Sequence, residues 1–329
     1  MTRAPEARVG VVVLNWNGLA DTLECLRSLH DAEPRPAIVV VVDNGSREDP
    51  TGAVRRLAAE RGVAATVLDA DGSIPADVAA PWLVLLRLGE NRGFAGGNNA
   101  ALRLLHRRPE LTHVLLLNND AVVAPDYFAR LDEALRASPD AALLSGTIYE
   151  FDRRDVVWYA GGDTLPHRAL VLHRARRPAS DAPVPTSFVT GCAMVIARRT
   201  LDLVGPLPEC YHPAYVEDAE YSWRVRAAGL PVVYAPAPVA YHKVGASAGR
   251  SESSPFVAAL LARHRAFFVR RNLRGATRAA AIAYLVVTKP ARAAVELLRG
   301  RPAMAGAILG GTLRGLRSRD ALRETRGFA

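Results

Sequence analysis

The 329-residue chain has only three cysteines, Cys25, Cys192 and Cys210. They are too scattered for a disulfide framework, and no two sit at a zinc-ligand spacing. Long apolar runs are missing as well, because the longest stop short of the ~18 residues that a spanning helix needs. The N-terminal MTRAPEARVG passes straight into a strand-like run without a signal-peptide core, so a reduced, cytoplasmic compartment is expected. Aromatics are sparse at 6% and no nucleic-acid module is recognisable, which sets nucleic acid aside as a partner despite a net charge of +9. Apolar residues are half of the chain, enough to bury a sizeable core and to exclude wholesale disorder.

The charge is unevenly placed. Residues 250–329 hold 16 Lys and Arg against 4 Asp and Glu, a surplus of 12 that exceeds the net +9 and leaves the first 249 residues at −3. A nearly neutral body therefore carries a basic tail.

Short continuous apolar runs at 8–15, 37–43, 82–88 and 113–118 predict strands buried on both faces of a parallel sheet. Helical stretches at 19–31, 51–61 and 97–107 alternate with them, which predicts a doubly wound α/β sheet with flanking helices. Beyond Asp120 the spacing lengthens, with strands expected at 142–149 and 188–197, a helix at 217–228, and strands near Val232 and Val239. The Arg-, Pro-, Asp- and Gly-rich stretch 152–185 predicts loop with a short hairpin. From residue 251 the chain is Ala- and Arg-rich with a helical period, a helical appendage to the body at 1–250.

In an open α/β sheet, ligands bind where the strands end. Those ends read Asn15-Trp16-Asn17-Gly18, Asp43-Asn44-Gly45-Ser46, a run from Glu90 to Asn99, and Asn118-Asn119-Asp120. Turn chemistry explains any one of them, but four on one rim suggest a site. Gly93 to Gly97 is not a dinucleotide fingerprint, yet its glycines suit close approach of backbone to a phosphate at a helix N-terminus. Asp120, after two Asn, makes an oxygen-rich cluster suited to Mg²⁺ or Mn²⁺; the alternative is a cap for the helix near Pro125. Glu217-Asp218-Ala219-Glu220 opens a helix, where the macrodipole alone would explain acids, but three carboxylates after an aromatic stretch suit a general base at a cleft mouth. His242 ends a strand as a candidate metal ligand or phosphate contact, against a purely structural role.

The ordered set VVVLNWNG, VDNGS, NRGFAGGNNA, LLLNND, VTGCAMVIAR, VEDAEYSWRVRAAG and AYHKVGASAG resembles the family 2 glycosyltransferases, particularly the bacterial rhamnosyltransferase-like branch, over about residues 8–250. The resemblance implies a GT-A fold, with a nucleotide-sugar half at about 8–120 and an acceptor half at about 121–250. It implies that Asp43 contacts the nucleobase and that Asn15, Asn91, Arg92, Gly93, Gly97, Asn98, Asn118 and Asn119 line the donor site. Asn118-Asn119-Asp120 stands at the DXD motif, with Asn in place of the first Asp, so Asp120, completed by His242, would hold Mn²⁺ or Mg²⁺. Asp218, beside Glu217, would be the base. The QxxRW motif of processive synthases is lacking.

The expectation is an inverting, non-processive transferase moving a sugar, rhamnose from dTDP-rhamnose by branch resemblance, onto a glycan or lipid-linked acceptor. Its rivals are a nucleotidyltransferase of similar scaffold and a catalytically silent sugar-binding or scaffold protein of a polysaccharide assembly complex. For the tail, the stretch 262–275 with Phe267 and Phe268 among arginines suggests peripheral attachment to an anionic membrane, against simple packing on the core.

Overall fold

The computed structural model describes residues 7–70, 72, 82–243, 254–322, 325 and 327. The first half alternates strand and helix as the apolar runs predict. Its elements are Val9–Asn15 (β1), Leu19–Asp31 (α1), Ile38–Asp43 (β2), Thr51–Glu60 (α2), Ala65–Asp69 (β3), Leu83–Arg87 (β4), Gly93–His106 (α3) and His113–Asn118 (β5). Next come Ala121–Val123 (β6), Tyr127–Ala137 (α4), Leu143–Glu150 (β7), Val157–Tyr159 (β8), Gly162–Leu165 (β9), Leu170–His173 (β10), Val184–Pro185 (β11) and Ala193–Ala197 (β12). The body closes with Arg198–Val204 (α5), Glu217–Ala227 (α6) and Val232–His242 (β13), and the tail forms Pro255–Asn272 (α7), Gly275–Leu298 (α8) and Pro302–Arg317 (α9).

One 11-stranded sheet among the described residues runs β11-β13-β7-β12-β5-β1-β2-β4-β3, with β6 added to β13 and β8 to β7. β5, β1, β2, β4 and β3 pair in parallel, while β12 enters antiparallel between β5 and β7. Successive side chains of a strand serve opposite cores, which is why these runs are apolar throughout. Val11 and Val13 pack with Leu26 and Leu29 of α1 on one face, and Val12 packs with Leu102 and Leu105 of α3 on the other. Each such buried aliphatic side chain contributes about 1.5–3 kcal/mol.

Four local expectations need correction. β3 was not foreseen, because at the sheet edge only Leu68 of its five residues is buried and no continuous apolar run marks it. α3 starts at Gly93 rather than 97, since tertiary packing overrides the turn-like reading of its glycines and asparagines. The strand expected at 188–197 covers only Ala193–Ala197, and 188–192 is rim loop. The strands near Val232 and Val239 are one element whose pairing shifts between Tyr234 and Val239, where Pro236 and Pro238 interrupt the ladder. The expected break at 250/251 falls within 244–253, outside the described residues.

The tail is built onto the body through α7. Phe268 packs with Val269, Leu273, Ala281, Leu285 and the Trp223 ring of α6, while Phe267 packs with Tyr211. Both phenylalanines are buried, so they are core residues and the expectation that they face lipid is corrected. α9 lies close along α7 because a Cβ at Gly311 or Gly315 would come within 2.4 Å of the Ala259 or Arg263 carbonyl oxygen.

Candidate active site

The parallel strands end at one rim, and a web of asparagine side chains fixes the loops there. Asn15 Nδ2 donates to Asp43 Oδ1 (3.3 Å) and Ser46 Oγ (3.1 Å), while its Oδ1 accepts from Gly18 N (3.2 Å) and Thr22 Oγ1 (3.0 Å). Asn15 is thus a buried organiser, whose hydrogen-bonding capacity goes to the protein rather than to a donor. Asp43 receives Asn15 and Ser46 N both on Oδ1, which leaves Oδ2 for a ligand. Trp16, next to it, exposes its ring on the same rim.

Asn44, read from the sequence only as part of the strand end Asp43–Ser46, joins two strand ends. Its Nδ2 donates to Asn91 Oδ1 (3.0 Å) and Gly93 O (3.2 Å), and its Oδ1 accepts from Arg92 N (2.9 Å). Asn91 Oδ1 also accepts from Gly93 N at 2.8 Å, and Phe94 N donates to Pro213 O at 2.7 Å. The Gly93 and Phe94 amides at the start of α3 are therefore given to protein acceptors. Gly93 is demanded by its φ of +72° and by Pro213 O, 2.7 Å from where a Cβ would stand. Gly97 lets α3 close on β1, since a Cβ there would meet Leu14 Cδ1 at 2.4 Å. Asn98 is buried and donates to Phe94 O; Arg92 remains exposed beside Glu90.

At the end of β5, Asn118 is half-buried on the rim. Asn119 Nδ2 donates to Gly18 O and Thr22 Oγ1, both at 3.1 Å, which ties β5 to α1 and gives Asn119 a structural role. Asp120 and His242 meet because β6 pairs with the end of β13, and Asp120 Oδ1 lies 3.2 Å from His242 Nε2. Burial opposes charge on that ring, but the Cys192 sulfur and the Asp120 carboxylate outweigh it and raise the His242 pKa to about 10. Asp120 is thus paired with His242 rather than capping α4, whose cap residue is Asp126. Two further partners escaped the sequence. The Trp158 ring stands edge-on to His242 and to His173, with centroids 4.7 and 4.6 Å away. Lys243 Nζ, 2.6 Å from both Asp21 and Glu24, anchors the end of β13 on α1.

Asp120 and His242 would supply a carboxylate and, once the ring gives up its proton, an imidazole to a divalent ion, with substrate phosphate and water supplying the rest. Among the described residues no group of three His, Cys, Asp or Glu can hold an ion unaided.

Residues 190–192 connect this pair to the acidic helix. Cys192 O accepts from Asn118 N (2.9 Å), and Gly191 N donates to Asp218 Oδ2 (2.9 Å). Asp218 Oδ1 takes Ala219 N at 2.8 Å. Burial raises the Asp218 pKa above the usual carboxylate range, and these backbone donors oppose the shift. Glu217 is more deeply buried, and burial together with the Asp218 charge pushes its pKa well up. Of the two carboxylates, Glu217 is the deeper and the one whose charge burial disfavours more. Ahead of them Tyr215 and Val216 both have φ of 79°, a costly conformation for a β-branched residue.

A sequence model of the family described as "Glycosyltransferase like family 2" matches residues 5–275. The chain belongs to that family. The match runs through α7, so the first tail helix lies within it. The uncharacterized protein y4gI of Sinorhizobium fredii (strain NBRC 101917 / NGR234) is 29% identical over 178 residues, 51% of this glycosyltransferase-like chain and 19% of that protein. The matched stretch is thus about a fifth of that relative's length.

Solved structures share the fold. GalNAc-T7 with UDP, GalNAc and Mn²⁺ superposes with a TM-score of 0.59 at 14% identity, over 82% of this chain and 48% of that one. The mannosyltransferase PcManGT from Pyrobaculum calidifontis with GDP-Man and Mn²⁺ gives 0.56 at 18%, over 96% and 89%. S. aureus TarS 1–349 with UDP-GlcNAc gives 0.57 at 15%, over 95% and 82%. The fold is GT-A, and family membership supports sugar transfer as the function.

Proposed function

We propose that this protein transfers a sugar from a nucleoside diphosphate donor to a hydroxyl of a glycan or lipid-linked acceptor, with inversion and one sugar at a time, in cell-surface polysaccharide synthesis at the inner face of the membrane. The observation that carries the reading is Asp218, half-buried and held by Gly191 N, joined through residues 190–192 to the Asp120–His242 pair. The nucleotide-bound neighbours favour a nucleotide-sugar donor, and branch resemblance favours dTDP-rhamnose.

Asp43 and Arg92 would meet the donor nucleotide, with Asn15 and Asn44 holding their loops. Asp120 and His242 would hold Mn²⁺ or Mg²⁺, whose charge stabilises the departing diphosphate. The Asp218 carboxylate takes the proton of the acceptor hydroxyl. That oxygen bonds to the anomeric carbon as the bond to the diphosphate breaks, and the leaving nucleotide keeps the electron pair. One displacement with one base inverts the centre and requires no covalent intermediate.

The test is release of nucleoside diphosphate from a panel of nucleotide sugars with membrane-extracted acceptor. Turnover that needs Asp218 supports the reading; release of pyrophosphate from nucleoside triphosphates instead would establish a nucleotidyltransferase. Nucleotide binding with no turnover under any donor would leave a sugar-binding scaffold.

A further inference from the structure

α8 and α9 pack together, and α8 also contacts the turn Pro166–Arg168 that joins β9 to β10. The inner face of α8 is Ala281, Leu285, Ala293 and Glu296, all buried. Its outer face is the unusual one. From Ala276 to Leu298 the exposed positions are apolar except Thr277 and Arg292. They recur at Ala283, Val287, Ala291, Ala294 and Leu298, a spacing that lines one side of a helix. Val287 is 69% exposed and Leu298 89%, and nothing among the described residues covers them. α9 adds exposed Leu309 and Leu313.

Charge decides what fits this surface. Residues 274–319 contain nine Lys and Arg and a single acid, Glu296. That acid is buried and paired with Arg292, Arg299 and Arg301, so the hairpin presents cations to its surroundings. An apolar helix face bordered by cations suits the headgroup–acyl boundary of an anionic bilayer. No helix among the described residues is long and apolar enough to cross a membrane, so α8, roughly 36 Å long, would lie along the surface.

We infer that the outer faces of α8 and α9 dock this protein on an anionic membrane surface. Docking there sets the acceptor side against lipid. The β9–β10 hairpin touches α8 at Pro166–Arg168, and its His173 stands edge-on to Trp158, which borders His242. The inference deepens the proposed function by naming the surface that brings a lipid-linked acceptor to the cleft, but its readout requires no turnover.

The experiment is flotation of the full chain with vesicles of phosphatidylcholine alone or with one quarter phosphatidylglycerol, beside the double variant Val287→Glu, Leu298→Glu. Both positions are exposed, so the variant keeps the fold, which its melting curve checks. At least tenfold enrichment on the anionic vesicles is expected, reduced by 0.5 M salt and lost in the double variant. Asp218→Asn floats like wild type, which separates docking from catalysis. No flotation, or equal flotation of wild type and double variant, overturns the inference. So does a dimer in light scattering that the double variant dissociates, because the face then belongs to a second copy.

Discussion

The amide of Gly191 donates to Oδ2 of Asp218 at 2.9 Å, and a Cβ on Gly191 would stand 3.0 Å from the Phe94 ring and 3.5 Å from the Asp218 Cβ. The Asp218 carboxylate, the base of the proposed transfer, is thus held from the loop before β12, with no room for a larger residue behind it. Asp218→Asn removes the proton acceptor and should lower kcat by about 10²–10⁴-fold with nucleotide affinity kept. Gly191→Ala displaces the carboxylate and should cost roughly 10²-fold with the base still present. Because burial raises the Asp218 pKa, activity needs its ionised form and falls as pH drops through a value above the ordinary ~3.9. A pH profile of Asp218→Glu and wild type checks the limb, and an acid limb unmoved by that change would exclude Asp218.

The donor site is tested without any acceptor. Melting curves with UDP, dTDP, GDP and CMP, each with and without Mn²⁺ or Mg²⁺, should single out one diphosphate that stabilises only with metal. At 100 times its Kd a ligand adds about 2.7 kcal/mol, well within reach of a melting curve. Asp120→Ala should abolish the metal-dependent part, read against the variant's own ligand-free melting point because the change also leaves the buried His242 without its carboxylate. A shift that persists in Asp120→Ala would place the cation elsewhere.

Much of this was legible because parallel-sheet physics writes itself into sequence. Runs such as VGVVVLN and HVLLLN must be apolar on both faces, so β1 and β5 were read nearly to the residue. Asp120, His242 and Asp218 were legible as carboxylates and an imidazole at element ends. What the sequence hides is direction. Asn15 and Asn119 look like ligand contacts in a list of rim residues, yet each turns its amide into the scaffold. Trp158 carries no local signal, since its role depends on β8 pairing with β7 beside the end of β13. Phe267 and Phe268 read as surface anchors because arginines flank them, but α7 packs on the body, where Arg271 is turned onto the buried Glu220 and Arg263 lies over the Phe267 ring.

Arg271 bridges the tail and the body. Its Nε lies 3.0 Å from both carboxylate oxygens of Glu220, which also receives Asn272 Nδ2 at 2.9 Å and the Tyr211 hydroxyl. Glu220 is 1% exposed, so Arg271→Ala strands a buried charge and should cost about 3–5 kcal/mol in urea unfolding. Replacing both partners, Glu220→Leu with Arg271→Met, should recover most of that loss, because desolvation of the pair is then avoided. A double variant as unstable as the single one would show that the contact itself, rather than the stranded charge, sets the cost.

His264 should make α7 sensitive to acid. Its Nδ1 donates to Tyr215 O at 3.1 Å and its Nε2 accepts from Arg263 at 2.9 Å, an arrangement that only the neutral ring satisfies. Burial first, then the Arg263 cation, lowers its pKa to about 4 against the opposing Tyr215 carbonyl. In the unfolded chain the ring titrates near ~6.5, so between those values the unfolded state binds the extra proton. The stabilisation is therefore complete above about pH 6.5 and drains away as pH falls toward 4, a loss of about 3 kcal/mol. Urea unfolding at pH 7.5 and 4.5 should show wild type losing that much more than His264→Gln, since the carboxylates titrate alike in both. Equal losses would mean that the ring accepts its second proton without leaving the fold, and that α7 is held by Arg271 and Phe268 rather than by a neutral His264.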